Sequence, residues 1–308
     1  MKSKLTITLL LIAVAAYSQT DKEDNKAAKR ISSSHVKSVT QTMYKYVYDI
    51  ASGTNKPSAE GMKTATFSFD RSGNVIEDIE YDQYGHVDSK TTYKNDARGN
   101  HTEANIYGSD GTLTARVVIT YNKDTVTLKK VYNAKGALIQ TVYSGWGHIT
   151  ISKKAIPSML AHHLSQYADT GVIKYGNTFY DLLLYDAKDS NLTAMSAYIY
   201  DKQGNLVLDF EYGAQYLTSG ETYKYDDQGQ RIENNHYNKD DEWEGKTTYK
   251  YGEKGAIIEA VQWGYNGLPE RMTSFKNDAN GNNLQGIVYD KNNQPKQMIK
   301  YTYQYYQQ

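Results

Sequence analysis

The chain has no cysteine in its 308 residues. That absence excludes disulfide staples, thiolate zinc sites and a lipid-modified N-terminal cysteine. Phenylalanine is scarce too, with 5 residues against 30 tyrosines. Neither sign of charge dominates: 35 basic side chains face 35 acidic ones, and loss of Lys2 and Lys4 with a leader leaves 33 against 35. A balance of −2 implies neither a nucleic-acid footprint nor a polybasic membrane patch. The apolar run Leu5 to Ala16 falls short of the ~20 residues that span a bilayer.

Signatures of chemistry are missing as well. The chain holds no H-E-x-x-H helix, nucleophile elbow, Walker loop or dinucleotide fingerprint. Gly145-Trp146-Gly147 lacks a third glycine and a helix start. The seven histidines are scattered, apart from His162-His163. On a helix those two point ~100° apart and chelate one ion poorly. Asp240-Asp241-Glu242 is the nearest acidic cluster and lacks the alternate spacing of a calcium loop. The expectation is a non-enzymatic chain without metal or cofactor. A carboxylate pair of the kind a glycosidase uses leaves no pattern in a sequence.

What is present begins with a leader. Lys2 and Lys4, the apolar run, and Ala16-Tyr17-Ser18 read as a secretory signal peptide over residues 1–18, with Gln19 as the mature start. Export without cysteine fits a bacterial periplasmic or extracellular protein with no membrane span once the leader is gone. Residues 19–38, polar and with the basic cluster Lys26 to Arg30, read as a disordered linker. Residues 39–308 read as one β-repeat domain.

That domain is written in one recurring phrase, aromatic–Asp–x–x–Gly. It occurs at Phe69-Asp70…Gly73, Tyr81-Asp82…Gly85, Tyr200-Asp201…Gly204 and Tyr225-Asp226…Gly229. Degenerate copies include Asp96…Gly99 and Asp278…Gly281. From Gly204 the steps to Gly229, Gly255 and Gly281 are 25, 26 and 26 residues, the mark of a repeat architecture. Asp first and Gly fourth is the signature of a type I turn, with the carboxylate accepting from turn amides and Gly closing the loop in the left-handed region. Two turns per period make each repeat one β-hairpin. The predicted fold is all-β: an antiparallel hairpin meander coiled by strand twist, with repeats at 43–143 and 172–308.

Tyr44, Tyr46 and Tyr48 alternate along the first strand, and Ser52 to Gly61 reads as a long irregular turn. Leu206, Leu208, Phe210 and Tyr212 form an apolar face expected to pack inward, with Asp209 and Glu211 solvated; Ile257, Val261, Trp263 and Tyr265 repeat that alternation. The insertion 150–171 breaks the pattern. Within it, 155–168 carries helical spacing at Ile156, Met159, Leu160, Leu164 and Tyr167. A return to strand follows over Val172 to Tyr185, with a turn at Gly176 or Asn177.

The phrase Tyr-Asp-x-x-Gly-Asn, at Tyr200 to Asn205 and, with Phe for Tyr, at Phe69 to Asn74, resembles the YD repeat of the RHS and teneurin-like family over most of residues 65–143 and 196–305. The resemblance implies coiled hairpin sheets, which in that family sometimes close into large shells around a toxin, and members that engage glycans or cell-surface partners. This chain is far shorter than a shell, lacks an autoprocessing segment and toxin tail, and is interrupted by the insertion. What carries over is a coiled sheet that binds something. Tyr17-Ser18-Gln19 is similar to the leader ends of Bacteroidetes.

Exposed aromatics are the candidate ligand contacts. Trp146, Trp243 and Trp263, with the pairs Tyr223/Tyr225 and Tyr249/Tyr251, could stack against sugar rings, and Trp146 and Trp243 stand off the repeat pattern. The plainer alternative is that the tyrosines are cross-strand pairs that stabilise the sheet. Glycan binding is the first expectation. An envelope protein partner, paired to an unpaired end strand such as Met298 to Tyr306, is the second. A glycan-active enzyme is the third. Oligomeric state is not written in the sequence.

Overall fold

A computed structural model describes residue 29 and residues 31–307, except 124, 153–171, 186–191, 202, 214–216, 239, 241 and 254. Side chains are not described at 143, 145–152, 172–197 and 211–218. The signal peptide (1–18), the helix 155–168 and the His162-His163 pair lie outside the described residues.

The described chain is a meander of antiparallel strands. In chain order they are β1 (Val36–Asp49), β2 (Thr54–Pro57), β3 (Met62–Phe69), β4 (Val75–Tyr81), β5 (Val87–Asn95), β6 (His101–Tyr107), β7 (Leu113–Asn122), β8 (Thr125–Asn133), β9 (Leu138–Ser152) and β10 (Val172–Tyr185). The second half continues with β11 (Leu192–Tyr200), β12 (Leu206–Gly213), β13 (Leu217–Tyr225), β14 (Arg231–Tyr237), β15 (Trp243–Tyr251), β16 (Ile257–Gly264), β17 (Pro269–Asn277), β18 (Asn283–Asp290) and β19 (Pro295–Tyr305).

The turn chemistry expected from the phrase is present. At Asp70 the Gly73 amide donates to the Asp70 carbonyl at 3.1 Å, and the Asp70 amide donates to the Asn74 carbonyl at 2.9 Å. The Asp70 carboxylate accepts from the amides of Ser72 and Asn74 at 2.8 and 2.9 Å. Gly73 sits at φ +87°, a region that costs other L-residues about 1–2 kcal/mol. The residue after glycine is a second, unforeseen part of the device. The side-chain amides of Asn74, Asn100, Asn205 and Asn282 donate to the other carboxylate oxygen of Asp70, Asp96, Asp201 and Asp278 at 2.8–3.0 Å.

Every strand but the short β2 has a hydrogen-bonded neighbour on both sides. β3 to β9 pair in succession, β9 pairs with β10, and β10 to β19 pair in succession. β1 then lies between β19 and β3, with Val39 opposite both Tyr303 and Phe67. The ladder therefore returns to its start, and among the described residues the expected free end strand is not found: β19 is paired along both edges. Unpaired backbone groups at a sheet edge are a liability, and joining the two ends removes it.

The side chains show which face is inside. Tyr198 and Tyr200 of β11 pack against Ala104, Ile106, Val117, Ile119, Val126 and Val131 of β6–β8. These strands are not ladder neighbours, so the contact crosses the interior. Register carries this inner face through Tyr93, Asp78, Phe67, Val39, Tyr301, Phe275, Tyr249 and Tyr223. Lys94, Lys224 and Lys250 alternate with those tyrosines and stand 62–69% exposed on the outer wall, paired with Glu103, Glu233 and Glu259.

Four sequence expectations need correction. Leu208 and Phe210 are buried as expected, at 3% and 4% exposure, but on the face away from the Tyr198 cluster, paired with Thr222 and Gly220, whereas Asp209 lies on the inner face opposite Tyr198 and Glu221. Period-2 alternation separates two faces without saying which is concave. Residues 31–38 are not linker: they form the end of a short helical turn and the start of β1, where Val36 is buried and Ile31 packs on its cluster. Ser52 to Gly61 contains β2, which pairs with Tyr46 to Asp49 as an arm projecting from the ring. Gly176 and Asn177 form no turn; they are skipped in the β9–β10 register as a bulge within a continuous strand, and β9 runs on to Ser152, inside the insertion expected from 150.

The two rims differ. At the rim holding the Asp70, Asp96, Asp201, Asp226 and Asp278 turns, neighbouring turns touch: a Cβ on Gly99 would lie 2.4 Å from Asn74 Oδ1, and one on Gly255 2.8 Å from Gln230 Nε2. At the other rim, Cβ atoms on Gly85, Gly111, Gly136 or Gly267 would meet nothing.

His101 sits at the crowded rim, 9% exposed, with its ring 4.4 Å from that of Tyr93 and Nδ1 2.5 Å from Asn95 Oδ1. An amide oxygen only accepts, so Nδ1 carries a proton. Burial holds the imidazole at about 4, against a small opposing pull from Asp70. Between pH 6.5 and 4 the unfolded chain binds a proton that the folded chain refuses, so stability falls as pH drops through that window. The full loss is about 3 kcal/mol. Urea titrations at pH 7 and pH 4.5 will show it, and the His101→Gln protein will have a flatter pH dependence over the same interval.

Candidate functional site

Tyrosines near the ends of several strands account for part of the tyrosine content. The hydroxyls of Tyr121, Tyr225, Tyr251 and Tyr303 donate to the carbonyls of His101, Leu206, Arg231 and Asn283 at 2.6–2.9 Å. Asn95 and Asn277 do the same to Val75 and Ile257. Each ties the end of one strand to the first residue of its neighbour on the inner face, a bond phenylalanine cannot make. Burial pushes the Tyr121 phenol up to about 12. Tyr225 and Tyr251 therefore hold the rim together.

Two residues earlier on the same strands comes a second inner tier: Phe67, Tyr93, Tyr198, Tyr223, Tyr249, Phe275 and Tyr301. Here the hydroxyls meet side chains. Tyr93 donates to Asp78 at 2.6 Å, and burial raises the Asp78 carboxyl despite that bond. Tyr249 donates to Asn234 Oδ1 at 3.2 Å.

At Tyr223 the tier becomes chemically distinct. Its hydroxyl lies 2.8 Å from Asp209 Oδ2 and 3.0 Å from Glu221 Oε2, and the Arg231 guanidinium lies over its ring at 4.7 Å. A phenol has one proton and cannot donate fully to two carboxylates. Burial, with both carboxylates adding to it, pushes the Tyr223 phenol far above its ordinary value. Asn234 also donates to Glu221 Oε2 at 3.0 Å. Glu221 Oε1 faces His236 Nδ1 at 3.3 Å, and His236 Nε2 faces Glu244 at 3.4 Å. This line of polar groups opens to solvent, with His236 and Glu244 46% and 50% exposed. Sequence reading singled out Tyr223 but not Asp209, Glu221, His236 or Glu244, which are spread over four strands.

The candidate aromatics do not form one ladder. Tyr223, Tyr225, Tyr249 and Tyr251 share the inner wall. Trp243 and Trp263 are half-buried on the outer one, where the indole N–H of Trp243 donates to Asn235 at 3.3 Å and that of Trp263 to Thr248 at 3.0 Å. Trp146 lies opposite Phe179 in the β9–β10 pair, and its side chain is outside those described. The turn residues Asp82 and Gly85 lie at the open rim; Asp70, Gly73, Asp96, Gly99, Asp201, Gly204, Asp226, Gly229, Asp278 and Gly281 lie at the crowded one. Among the described residues no group of three or more His, Asp or Glu side chains is arranged to hold a metal ion, and no helix is long and apolar enough to cross a membrane.

No protein-family model and no curated protein matches the chain. Among solved structures it is similar to a porin-like protein from Bacteroides uniformis, at 8% identity and a TM-score of 0.38, over 87% of this chain and 98% of that one. A porin-like protein from Bacteroides vulgatus gives 11% identity and a TM-score of 0.31 over the same shares. The TcdB2-TccC3 complex with Cdc42 gives 11% identity and a TM-score of 0.30, over 84% of this chain but 14% of that one. Values this low carry no function from those proteins to this one.

Proposed function

We propose that the protein is an exported, non-enzymatic binding module that takes glycans on the inner wall around Tyr223 and Tyr249. The observation that supports this is the composition of that wall: half-buried aromatic rings beside Asn234, Glu221, His236 and Glu244, partly open to solvent. Sugar recognition combines an aromatic surface with convergent hydrogen-bonding groups, and this wall offers both. Export rests on the leader read from residues 1–18. The ring stands in water: its outer wall carries Lys224–Glu233–Lys246 and Lys250–Glu259 ion pairs, which a lipid-facing strand does not tolerate. Burial works against the Glu233 carboxylate, yet the two lysines hold it at about 2. The YD-repeat resemblance supports a coiled sheet with a binding role and extends no further.

A glycan-array screen followed by calorimetry on the hit tests the reading. Tyr249→Ala and Glu221→Gln are each expected to weaken binding about ten-fold, or 1.4 kcal/mol, while Trp243→Ala leaves it unchanged. Loss confined to Trp243→Ala would move the site to the outer wall. A second reading, a glycan-active enzyme, is favoured by one observation: Asp209 and Glu221 reach the same phenol oxygen, the proximity two catalytic carboxylates require. Release of new reducing ends by the native protein but not by Glu221→Gln would establish it.

A further inference from the structure

We propose that the β1–β2 arm is a lipid-docking device whose tip enters the surface of an uncharged, zwitterionic bilayer. Both ring pairings of β1 have ended by Lys45, which faces Gln297. Tyr46 to Asp49 then carry the ribbon roughly 13 Å further, at about 3.3 Å per residue. At its end stand three large apolar side chains: Val47 is 51% exposed, Tyr48 66% and Ile50 89%. Val47 lies opposite Lys56 and Tyr48 opposite Asn55, so the two point to opposite faces of the ribbon, with Ile50 at the apex. A protein partner covers one face of such a ribbon, whereas a bilayer surrounds its tip on every side.

The polar groups of the tip are closed on one another, as a hydrocarbon boundary demands. The Gly53 amide donates to the Asp49 carbonyl at 2.8 Å, and the Asp49 carboxylate accepts from the Ala51 amide at 3.1 Å and the Ser52 hydroxyl at 2.7 Å. Lys56 pairs with the same carboxylate at 2.5 Å, so the two charges of the tip cancel and give no preference for an anionic lipid. Strand addition by a second copy is opposed at the β2 edge. The Ser58 amide turns to the Lys45 carbonyl at 2.8 Å, so Pro57, one residue earlier, faces the outer edge with no N–H to donate, beside the charged Lys56. Neighbouring turns of the same rim extend the surface. Tyr84, in the next turn on one side, and Tyr265 and Leu268, in the second turn on the other, are 74%, 77% and 61% exposed. At the crowded rim the central turn residues include Arg71-Ser72, Ala97-Arg98, Asp227-Gln228 and Ala279-Asn280, with no large apolar side chain among them. The aromatic turn residues therefore belong to the rim that bears the arm. Tyrosine suits headgroup depth, because its ring is apolar and its hydroxyl stays wet.

The mature chain from Gln19, free of the apolar run Leu5 to Ala16, is sedimented with phosphatidylcholine vesicles, with and without phosphatidylglycerol, at low and high salt. It should partition onto phosphatidylcholine alone, with an affinity that anionic lipid and salt change less than about two-fold. Ile50→Ser should weaken partition about ten-fold, the effect of withdrawing one large aliphatic side chain. The protein in which Asn-Gly replaces residues 47–56 should lose partition altogether while keeping the native circular dichroism. If that replacement misfolds, Ile50→Ser alone decides. Ile258→Ser, which removes an exposed aliphatic side chain near the crowded rim, should change partition less than about two-fold. Tyr249→Ala, on the inner wall, should leave it unchanged, which separates the arm from the glycan site. No partition of the native chain, partition only with phosphatidylglycerol, or equal loss in Ile258→Ser overturns the proposal. So does a native chain that is dimeric in sedimentation equilibrium and monomeric as Ile50→Ser, because the occupant of the arm is then a second copy.

Discussion

Deletion of residues 295–308 abolishes cooperative folding. The deletion removes β19, and with it the ladder partner of both β1 and β18. It also strips Tyr301 and Tyr303 from the cluster of Val36, Val39 and Phe69, and the Tyr303 bond to the Asn283 carbonyl. Burial of large side chains is worth about 1.5–3 kcal/mol each. Two newly exposed strand edges add to that, and the total reaches the ~5–15 kcal/mol by which such domains are stable. In an open repeat array, loss of the last unit costs its own interface alone, and the remainder folds with a proportionally smaller urea dependence. The β2 arm supplies the control. Tyr46 and Pro57 face each other, so replacing residues 47–56 by Asn-Gly shortens the arm without touching the ring and leaves the melting temperature nearly unchanged. A deletion protein that retains a sharp urea transition would show that ring closure contributes little.

Gly99→Ala costs about 2–3 kcal/mol, whereas Gly111→Ala costs about 1–2 kcal/mol. Both glycines have positive φ, +90° and +76°, so backbone strain is common to the two. The difference is what the new methyl meets. At Gly111 it meets open space; at Gly99 it falls 2.4 Å from Asn74 Oδ1, whose amide is bonded to Asp70. Asn74 must give way, and one substitution then damages two turns. A double-mutant cycle isolates this coupling: in an Asn74→Ala background, Gly99→Ala should cost no more than Gly111→Ala. Equal costs in the native background would mean that neighbouring turns do not support one another.

These predictions also show how far the sequence could be read. The phrase at Asp70, Asp96, Asp201, Asp226 and Asp278 was legible because its hydrogen bonds join atoms within five residues, where spacing in sequence is spacing in space. The asparagine after Gly73, Gly99, Gly204 and Gly281 stood in the same phrase, but the second role seen at Asn74, contact with the next turn, depends on how closely the turns stack. Tyr223/Tyr225 and Tyr249/Tyr251 were legible as pairs, and register makes them two tiers of one inner wall. The tryptophans were grouped with them on residue type alone. Trp243 and Trp263 fall on the other face, because alternation and bulges, not chemical likeness, fix the side of a strand.

The sequence by itself determined the all-β hairpin repeat, its 25–26-residue period and the conformation of its turns, since all are local consequences of Asp, Gly and alternating strands. Only the tertiary structure decided that β1 closes on β19. It also decided that Asp209 lies on the inner wall while Leu208 and Phe210 are buried on the opposite face. The partners in each case lie on different strands, Val39 and Tyr303 at nearly opposite ends of the chain. A period states how often a feature recurs; the accumulated twist and register of the sheet decide where each copy arrives.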